Sequence, residues 1–204
     1  MRLFAAVIPP PLAVDELDLA VARLKALPGA EHLRWTGRPS WHFTLAFMGQ
    51  VDDELLPELN ERLARAARKT NPFALRLRRG GHFGRRALWV GVEGGVAEMR
   101  LLADRADAAA RRTGISMEEH RSYHAHLTIA RSRDPRGADL RPYVQELEPF
   151  EGPEWDVAKL ALVRSNLPVS GVVGEQPRYE TVGSWLLGGG TESGPGSGSL
   201  ERAS

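Results

Sequence analysis

The chain of 204 residues contains no cysteine. This absence excludes disulfide bonds, thiolate nucleophiles and zinc sites built on cysteine. A serine nucleophile is also poorly supported, because no Gly-x-Ser-x-Gly pattern occurs in the part of the sequence that we expect to fold. Any chemistry must therefore depend on histidines, carboxylates or hydroxyl groups.

A dominant charge and a long apolar run are missing too. The 27 Lys and Arg residues balance 26 Asp and Glu residues, so the net charge of +1 does not commit the protein to nucleic acid or to a membrane. Any polyanion site must be a local patch. No stretch approaches the ~20 apolar residues of a membrane-spanning helix, and prolines end the apolar start of the chain too early for a signal peptide. We therefore expect a soluble, cytoplasmic protein with no membrane partner.

The hydrophobic content of 42% is enough for the core of one globular unit. Apolar periodicity and turn signals predict strands over 3–8, 33–35, 41–48, 73–79, 87–92, 123–131, 156–164 and 178–187, and helices over 14–27, 52–69 and 96–113. Residues 80–84 are predicted to form a loop. This order roughly duplicates a small α+β unit. We expect one folded domain over residues 1–187 and a disordered Gly/Ser-rich tail over residues 188–204.

A four-residue pattern, His-x-Thr-x, occurs twice in apolar runs, at His42-Phe43-Thr44-Leu45 and at His126-Leu127-Thr128-Ile129. Alternate residues of a strand share a face, so each His and its Thr are expected to project together while their neighbours enter the core. A single copy is most often a half-buried strand histidine. Two copies in opposite halves of the chain favour two imidazoles that face one site.

Two histidines can act as a complementary acid and base near neutral pH, because the ordinary imidazole pKa is about 6.5. One removes a proton from an attacking oxygen, and the other protonates the leaving oxygen. The two threonine hydroxyls can donate hydrogen bonds to the non-bridging oxygens of a phosphoryl group. These groups suit phosphodiester chemistry that uses neither a metal nor a cofactor.

A zinc site is the alternative for the second motif, because His120, His124 and His126 are spaced by four and two residues. No Asp or Glu in the strand supplies a fourth ligand or an orienting carboxylate, although Glu118 and Glu119 are near. We therefore expect no metal.

Both motifs and their surroundings resemble the 2H phosphoesterase superfamily, in particular its RNA 2′,3′-cyclic phosphodiesterases, also called the 2′-5′ RNA ligase family. The segments that carry the resemblance are Arg34-Trp35, Trp41-His42-Phe43-Thr44-Leu45-Ala46-Phe47-Met48-Gly49, Leu88-Trp89-Val90-Gly91-Val92 and Tyr123-His124-Ala125-His126-Leu127-Thr128-Ile129-Ala130-Arg131. The resemblance runs from residue 1 to about residue 187. It implies an α+β fold of two lobes with pseudo-twofold symmetry, in which antiparallel sheets line a central cleft and helices lie outside.

The resemblance also implies roles for the motif residues. His42 would donate a proton to the departing 3′ oxygen, and His126 would be the proton acceptor that activates water. Thr44 and Thr128 would bind phosphoryl oxygens. The sequence itself is symmetric and does not distinguish the acid from the base.

Arg131 would contact phosphate by the same resemblance. Strict strand alternation turns it away from His126, so this role requires the strand to end or bulge after Ala130. The alternative is an arginine that faces solvent.

A basic stretch and four aromatic residues can each have either a binding role or a structural role. The densest basic stretch contains Arg76, Arg78, Arg79, Arg85 and Arg86. It can contact an RNA backbone, but the exposed face of a strand explains its spacing better. Four aromatic residues near the motifs can stack a base, although core packing is the more common role and is expected for most of them, namely Trp35, Trp41, Phe47 and Tyr123.

The predicted function is metal-independent hydrolysis of a terminal 2′,3′-cyclic phosphate of RNA to a 2′-phosphomonoester, with 2′-5′ ligation as the reverse reaction. The expected partners are RNA ends or nucleotides with a 2′,3′-cyclic phosphate. A monomer suffices, and no protein partner is required. One alternative is a protein that binds RNA ends or nucleotides without turnover, and another is a zinc hydrolase.

Overall fold

The computed structural model describes residues 1–118, 122–167 and 177–189. Its strands are β1 (Arg2–Val7), β2 (Leu33–Trp35), β3 (Phe43–Gln50), β4 (Phe73–Phe83), β5 (Ala87–Gly94), β6 (Leu127–Ser132), β7 (Glu151–Val157), β8 (Lys159–Asn166) and β9 (Arg178–Leu186). Its helices are α1 (Pro11–Lys25), α2 (Leu56–Arg68), α3 (Val96–Arg112) and α4 (Arg141–Glu146). Within these ranges no helix is long and apolar enough to cross a membrane.

The strands form two antiparallel sheets. One has the order β3-β1-β8-β9, and the other has the order β2-β6-β5-β4-β7. Helices α2 and α3 pack on the first sheet through β3, β8 and β9, whereas α1 and α4 pack on the second through β4 and β7. Each sheet carries one His-x-Thr-x motif, on β3 and β6 respectively. The predicted two-lobed α+β fold with antiparallel sheets is confirmed.

The helices form where the sequence pairs a start signal with an apolar stripe. A proline occupies the first turn of α1, which therefore begins at Pro11 instead of the predicted residue 14. In α2 the residues Leu59, Leu63 and Ala67 recur on one face and are fully buried against the sheet. This burial fixes the helices on the outer faces of the sheets and leaves the opposite faces of β3 and β6 for the cleft.

Both motif strands carry an extra residue directly after the threonine. Leu45 has no partner where β3 pairs with β1, and Ile129 has none where β6 pairs with β5. Such a bulge shifts the alternation of side chains by one position. In β6 two consecutive residues after Thr128 are therefore buried, and Arg131 returns to the face of Thr128. The predicted bulge exists, but it lies before Ala130 and not after it.

The two motif strands begin later than predicted. β3 starts at Phe43 and β6 starts at Leu127, so His42 and His126 each lie immediately before a strand. The neighbouring strand sets the first of these limits, because β1 ends at Val7, which pairs with Phe43, and prolines follow. Prolines cannot continue the hydrogen-bonded ladder. An apolar run in the sequence does not reveal where its partner strand stops.

The predicted loop over residues 80–84 is wrong, since β4 continues through Gly80 and Gly81 to Phe83. A Gly-Gly pair is a common turn signal, but here the two glycines lie in a strand and allow neighbouring side chains to pack closely against its backbone. A Cβ atom on Gly80 would lie 2.4 Å from the Leu147 side chain, and one on Gly81 would lie 2.3 Å from the Trp89 ring.

The C-terminal half differs from the prediction in two further places. The single strand predicted over residues 156–164 is the two strands β7 and β8, and the short helix α4 was not predicted. Gly188 and Gly189, assigned to the tail, lie in a 3-10 turn, in which the Gly188 amide donates to the Thr70 carbonyl at 2.7 Å. Residues 190–204 of the predicted tail lie outside the described residues.

Thr36 joins the chain before the first motif to the strand of the second. Its amide donates to the Ile129 carbonyl at 2.9 Å, and its hydroxyl donates to the Thr128 carbonyl at 2.9 Å. The same hydroxyl accepts a hydrogen bond of 3.0 Å from the indole N–H of Trp41, a core residue that is 3% exposed. Thr36 therefore couples the positions of the two motifs.

Replacing Thr36 by Val should destabilise the protein by ~1–3 kcal/mol, because the buried Trp41 N–H loses its acceptor and the Thr128 carbonyl loses a donor. Thr36→Ser retains the hydroxyl and should lose much less. Urea denaturation of both variants measures the difference. Equal stability of Thr36→Val and the wild type would contradict this role of the hydroxyl.

Candidate active site

A cleft of about 270 Å³ lies between the two sheets. All of the predicted site residues lie on its wall. The full lining consists of Arg34, Thr36, Ser40, His42, Thr44, His126, Thr128, Arg131, Pro177 and Tyr179. None of these described lining residues is a carboxylate, so this wall is cationic and rich in hydrogen-bond donors.

The imidazole of His42 lies between two aromatic rings. Its ring centroid is 4.7 Å from that of Phe4 and 5.0 Å from that of Tyr179, which meets it edge-on. Burial among these rings lowers the pKa of His42 to about 4. No described residue forms a hydrogen bond with this imidazole. His42 is therefore neutral near pH 7.

His126 is held by a backbone hydrogen bond. Its Nδ1 lies 2.7 Å from the carbonyl oxygen of His124. Because a carbonyl only accepts, Nδ1 must carry the proton, and the neutral ring presents a lone pair on Nε2. Burial lowers the pKa of His126, with a smaller effect in the same direction from the charges of His124 and Arg131, and the carbonyl bond opposes the shift. The second histidine therefore has a fixed tautomer, unlike His42.

Two arginines supply positive charge at the cleft. Arg34 of β2 is paired with Arg131 of β6, so both side chains leave neighbouring backbone positions. Both residues are exposed, and neither forms an ion pair with a described carboxylate. Planar guanidinium groups match the oxygens of a phosphate. An anion is thus the ligand that this wall favours.

Sequence reasoning missed several lining residues. The resemblance includes Arg34 but implies no role for it, and its place opposite Arg131 follows only from the pairing of β2 with β6. Tyr179 arrives from β9, far along the chain, and no local pattern connects it with His42. Thr36 and Ser40 lie in a turn region where polar residues are ordinary.

Three of the four aromatic residues near the motifs pack in or against the core, which is the role expected for most of them. Trp35, Trp41, Phe47 and Tyr123 are absent from the walls of the cleft. Trp41 is a core residue, and Phe47 is exposed with the Arg2 guanidinium 4.8 Å from its ring centre. The rings that contact the catalytic candidates are Phe4 and Tyr179 at His42 and Phe83 at His126.

The basic stretch is largely engaged in ion pairs on the surface of the second sheet. Arg76 pairs with Glu151 and with Glu154 at 2.9 Å, and Arg78 pairs with Glu93. Arg79 lies 3.4 Å from Glu148. The side chains alternate along β4, as expected for the exposed face of a strand.

The zinc alternative requires three or more metal-ligating side chains close together. Within the described ranges, no three His, Cys, Asp or Glu side chains cluster closely enough to hold a metal ion. His120 and Glu119, which belong to that hypothesis, lie outside the described residues.

Comparisons with known proteins agree with this geometry. A family model described as the 2′-5′ RNA ligase superfamily matches residues 9–167, which include both motifs. A protein of Aeropyrum pernix named RNA 2′,3′-cyclic phosphodiesterase is 32% identical over 148 residues, which are 70% of this chain and 80% of that protein. A protein of Aquifex aeolicus with the same name is 27% identical over 160 residues, which are 76% of this chain and 82% of that protein.

Solved structures show the same fold. The crystal structure of TT0787 of Thermus thermophilus has a TM-score of 0.70 and 28% identity, and the match covers 93% of this chain and 99% of that one. The crystal structure of E. coli LigT in apo form has a TM-score of 0.69 and 24% identity, with coverage of 91% and 96%. The family model, the relatives and the fold agree: the chain belongs to the 2′-5′ RNA ligase superfamily.

Proposed function

We propose that this protein hydrolyses the terminal 2′,3′-cyclic phosphate of RNA to a 2′-phosphomonoester, without a metal. The observation that carries the proposal is the pairing of His42 and His126 across one cationic cleft, each with a threonine hydroxyl beside it. The relatives from Aeropyrum pernix and Aquifex aeolicus are named RNA 2′,3′-cyclic phosphodiesterase, which supports a cyclic phosphodiester of RNA as the substrate. All lining residues come from one chain, so a monomer suffices.

The cleft suits the charge of the substrate. A cyclic phosphodiester carries one negative charge, which grows on the non-bridging oxygens when a fifth oxygen approaches phosphorus. Thr44 and Thr128 can donate hydrogen bonds to these oxygens. Arg131, placed on the same face by the bulge at Ile129, supplies a full positive charge. The ground-state diester gains less from these groups than the transition state does.

His126 is the better base because its tautomer leaves Nε2 free to accept a proton. In the proposed reaction, Nε2 takes a proton from water while the water oxygen bonds to phosphorus. The bond from phosphorus to the 3′ oxygen breaks, and His42 gives its proton to that oxygen. The phosphate remains on the 2′ oxygen. Proton exchange with solvent then returns both histidines to their initial states.

His42 must be protonated to act as the acid, although burial lowers its pKa to about 4. A phosphate anion beside the ring favours the imidazolium and raises this pKa. Binding of the anionic substrate therefore favours protonation of His42, which can then act as the acid. With a 5′-hydroxyl in place of water, the same steps in the same direction would form a 2′-5′ linkage and release the 3′-hydroxyl, so ligation parallels hydrolysis and is not its reverse.

The neutral state of His42 also favours a second candidate, a protein that binds RNA ends or nucleotides without turnover. In that case the cleft holds the phosphate of the ligand, His42 stays neutral, and the cyclic phosphate is not opened. Binding with no product would identify this function.

An oligonucleotide with a 2′,3′-cyclic phosphate should yield a 2′-phosphate in EDTA, as resolved by chromatography against 2′- and 3′-phosphate standards. His42→Ala and His126→Ala should each lower kcat by about 10²–10⁴-fold, because each removes one proton transfer. His32→Ala is the matched control, since His32 is exposed and pairs with Glu31 away from the cleft. No 2′-phosphate from the wild type would refute the activity, and loss of activity in EDTA would refute metal independence.

Burial of His42 should make stability depend on pH. Its pKa is about 4 in the folded protein against 6.5 as the ordinary value, so the unfolded chain binds the proton first on acidification. Neutral His42 therefore contributes at most ~3 kcal/mol to the free energy of unfolding. This contribution is present above pH 6.5 and is lost as the pH falls to about 4. Denaturation of wild type and His42→Gln across this window isolates it, because their carboxylates are the same. Parallel stability curves would contradict the lowered pKa.

Inorganic phosphate should raise the pKa of His42 above about 4, because the anion stabilises the imidazolium. NMR titration of the imidazole signals, with and without phosphate, measures the change. At each pH the signals of His32, which lies outside the cleft, should be the same with and without phosphate and so serve as an internal control. An unchanged His42 pKa at saturating phosphate would contradict the proposal that substrate binding causes the protonation of His42.

A further inference from the structure

A second group of basic side chains lies in a groove between α2 and α3 that the proposed reaction does not use. The groove has a volume of about 340 Å³ and shares no lining residue with the cleft. Five of its lining residues are cations, namely Arg62, Arg65, Lys69, Arg105 and Arg112, and the single carboxylate among the described lining residues is Asp104. We call this site the helix groove.

Small residues form the floor of the helix groove. Ala66 of α2 is 6% exposed, and Ala109 of α3 is 5% exposed. Longer side chains at these places would fill the space between the helices. The charged residues therefore form the walls of an open groove, and a ligand must present groups that bind cations.

The cations lie in two rows, one along each helix. Arg62, Arg65 and Lys69 follow one another at spacings of three and four residues along α2 and the residue after it. Arg105 and Arg112 are seven residues apart on α3. Residues at these spacings share a face of a helix. Seven residues rise about 10 Å, so each row is longer than one phosphate group and fits two or more phosphates in succession.

Two of the five cations have partners on the two helices and at their ends. The Arg62 guanidinium donates to the Glu58 carboxylate at 2.9 Å. The Arg105 guanidinium donates to the Thr70 hydroxyl at 2.7 Å and to the carbonyl of Lys69, at the C-terminal end of α2. These contacts explain Arg62 and Arg105 without a ligand.

The other three cations have no such explanation. Arg65, Lys69 and Arg112 form no ion pair with a carboxylate in the part of the chain that the structure describes. In contrast, Arg76 and Arg78 on the second sheet each face a glutamate. Arg65 and Lys69 are four residues apart, a spacing at which like charges on a helix repel. An anion in the groove compensates this repulsion.

The helix dipole gives a competing explanation, because cations near the C-terminus of a helix are favourable. Arg65 lies in the last turn of α2, and Arg112 lies in the last turn of α3. Arg23 and Lys25 occupy the same place in α1, yet they line neither the cleft nor the helix groove. The dipole therefore accounts for cations at separate helix ends but not for their convergence on one groove.

We propose that the helix groove binds the backbone of the RNA strand whose end enters the cleft. The inference rests on the proposed function, which supplies RNA as the ligand. Guanidinium groups match phosphate oxygens, and two rows of cations match a chain of phosphates without reading its sequence. The cleft and the groove lie on opposite sides of the first sheet, so a mononucleotide reaches only the cleft, whereas an RNA of several nucleotides can occupy both.

The test removes two charges from the groove in Arg65→Gln/Arg112→Gln and two from the end of α1 in the matched control Arg23→Gln/Lys25→Gln. Fluorescence anisotropy measures binding, without turnover, of a labelled single-stranded RNA of about 20 nucleotides that ends in a 2′-phosphate. The groove variant should raise Kd about 10- to 30-fold at about 0.1 M salt. The slope of log affinity against log salt should become shallower by about 1.4, because each phosphate contact with a single strand contributes about 0.7. The control should resemble the wild type in both.

Substrate length separates the groove from the cleft. When the same RNA ends in a 2′,3′-cyclic phosphate, the groove variant should lower kcat/KM by a similar factor and leave kcat unchanged, because the lost contacts are equal in the ground state and the transition state. For adenosine 2′,3′-cyclic phosphate, its kcat/KM should stay within about 2-fold of the wild type, which also shows that the variant is folded.

An RNA affinity that is unchanged in the groove variant, or that falls as much in the control, would overturn the inference. So would an equal loss on the mononucleotide, because the two charges would then act through the cleft. Calorimetry with inorganic tripolyphosphate tests a free polyphosphate as the ligand. If the groove variant loses tripolyphosphate but binds RNA like the wild type, the groove takes that anion and the RNA inference is refuted. If the wild type opens neither cyclic phosphate, the proposed function fails, and the anisotropy measurement still decides the groove.

Discussion

The extra residue that follows each motif threonine determines which side chains reach the cleft. Leu45 in β3 and Ile129 in β6 interrupt the ladder at the same place in the two sheets. Without the bulge in β6, strand alternation would place Arg131 on the face opposite Thr128. The bulge instead keeps the arginine on the side of the threonine, and the hydrogen bonds of Thr36 hold this strand against the segment that leads to His42. The bulge at Ile129 and the hydrogen bonds of Thr36 together therefore place the positive charge of Arg131 in the wall of the cleft.

The two halves are alike in backbone but differ in the surroundings of their histidines. His42 is enclosed by Phe4 and Tyr179 and has no described hydrogen-bond partner, so desolvation alone sets its lowered pKa. His126 gains a carbonyl bond from His124 that fixes its tautomer and opposes the effect of burial. A duplicated motif therefore yields two chemically distinct imidazoles. This difference, which the symmetric sequence does not contain, supports the assignment of His126 as the base.

The sequence predicts the parts of the molecule that depend on local pattern. The three longer helices, most strands and the meeting of two His-x-Thr-x motifs follow from periodicity and from the repeated motif. Features that depend on partners distant in the chain do not follow. Gly80 and Gly81 resemble a turn until Leu147 and Trp89 are seen to fill the space above them. Tyr179 and Arg34 reach the cleft only because their strands join the same sheets as the motifs.

The lowered pKa values and the charge of the cleft have to be considered together. A buried imidazole resists protonation, so near pH 7 very little of His42 is in the acid form. An anion reverses this balance, because it compensates the loss of hydration at His42. The same anion compensates the Arg131 charge that lowers the pKa of His126. In the proposed reaction, binding free energy is then used to protonate His42 only when a phosphate is in place. A neutral ester would bind without raising the His42 pKa, so under this proposal the electrostatics that attract the substrate also restrict the chemistry to anionic esters.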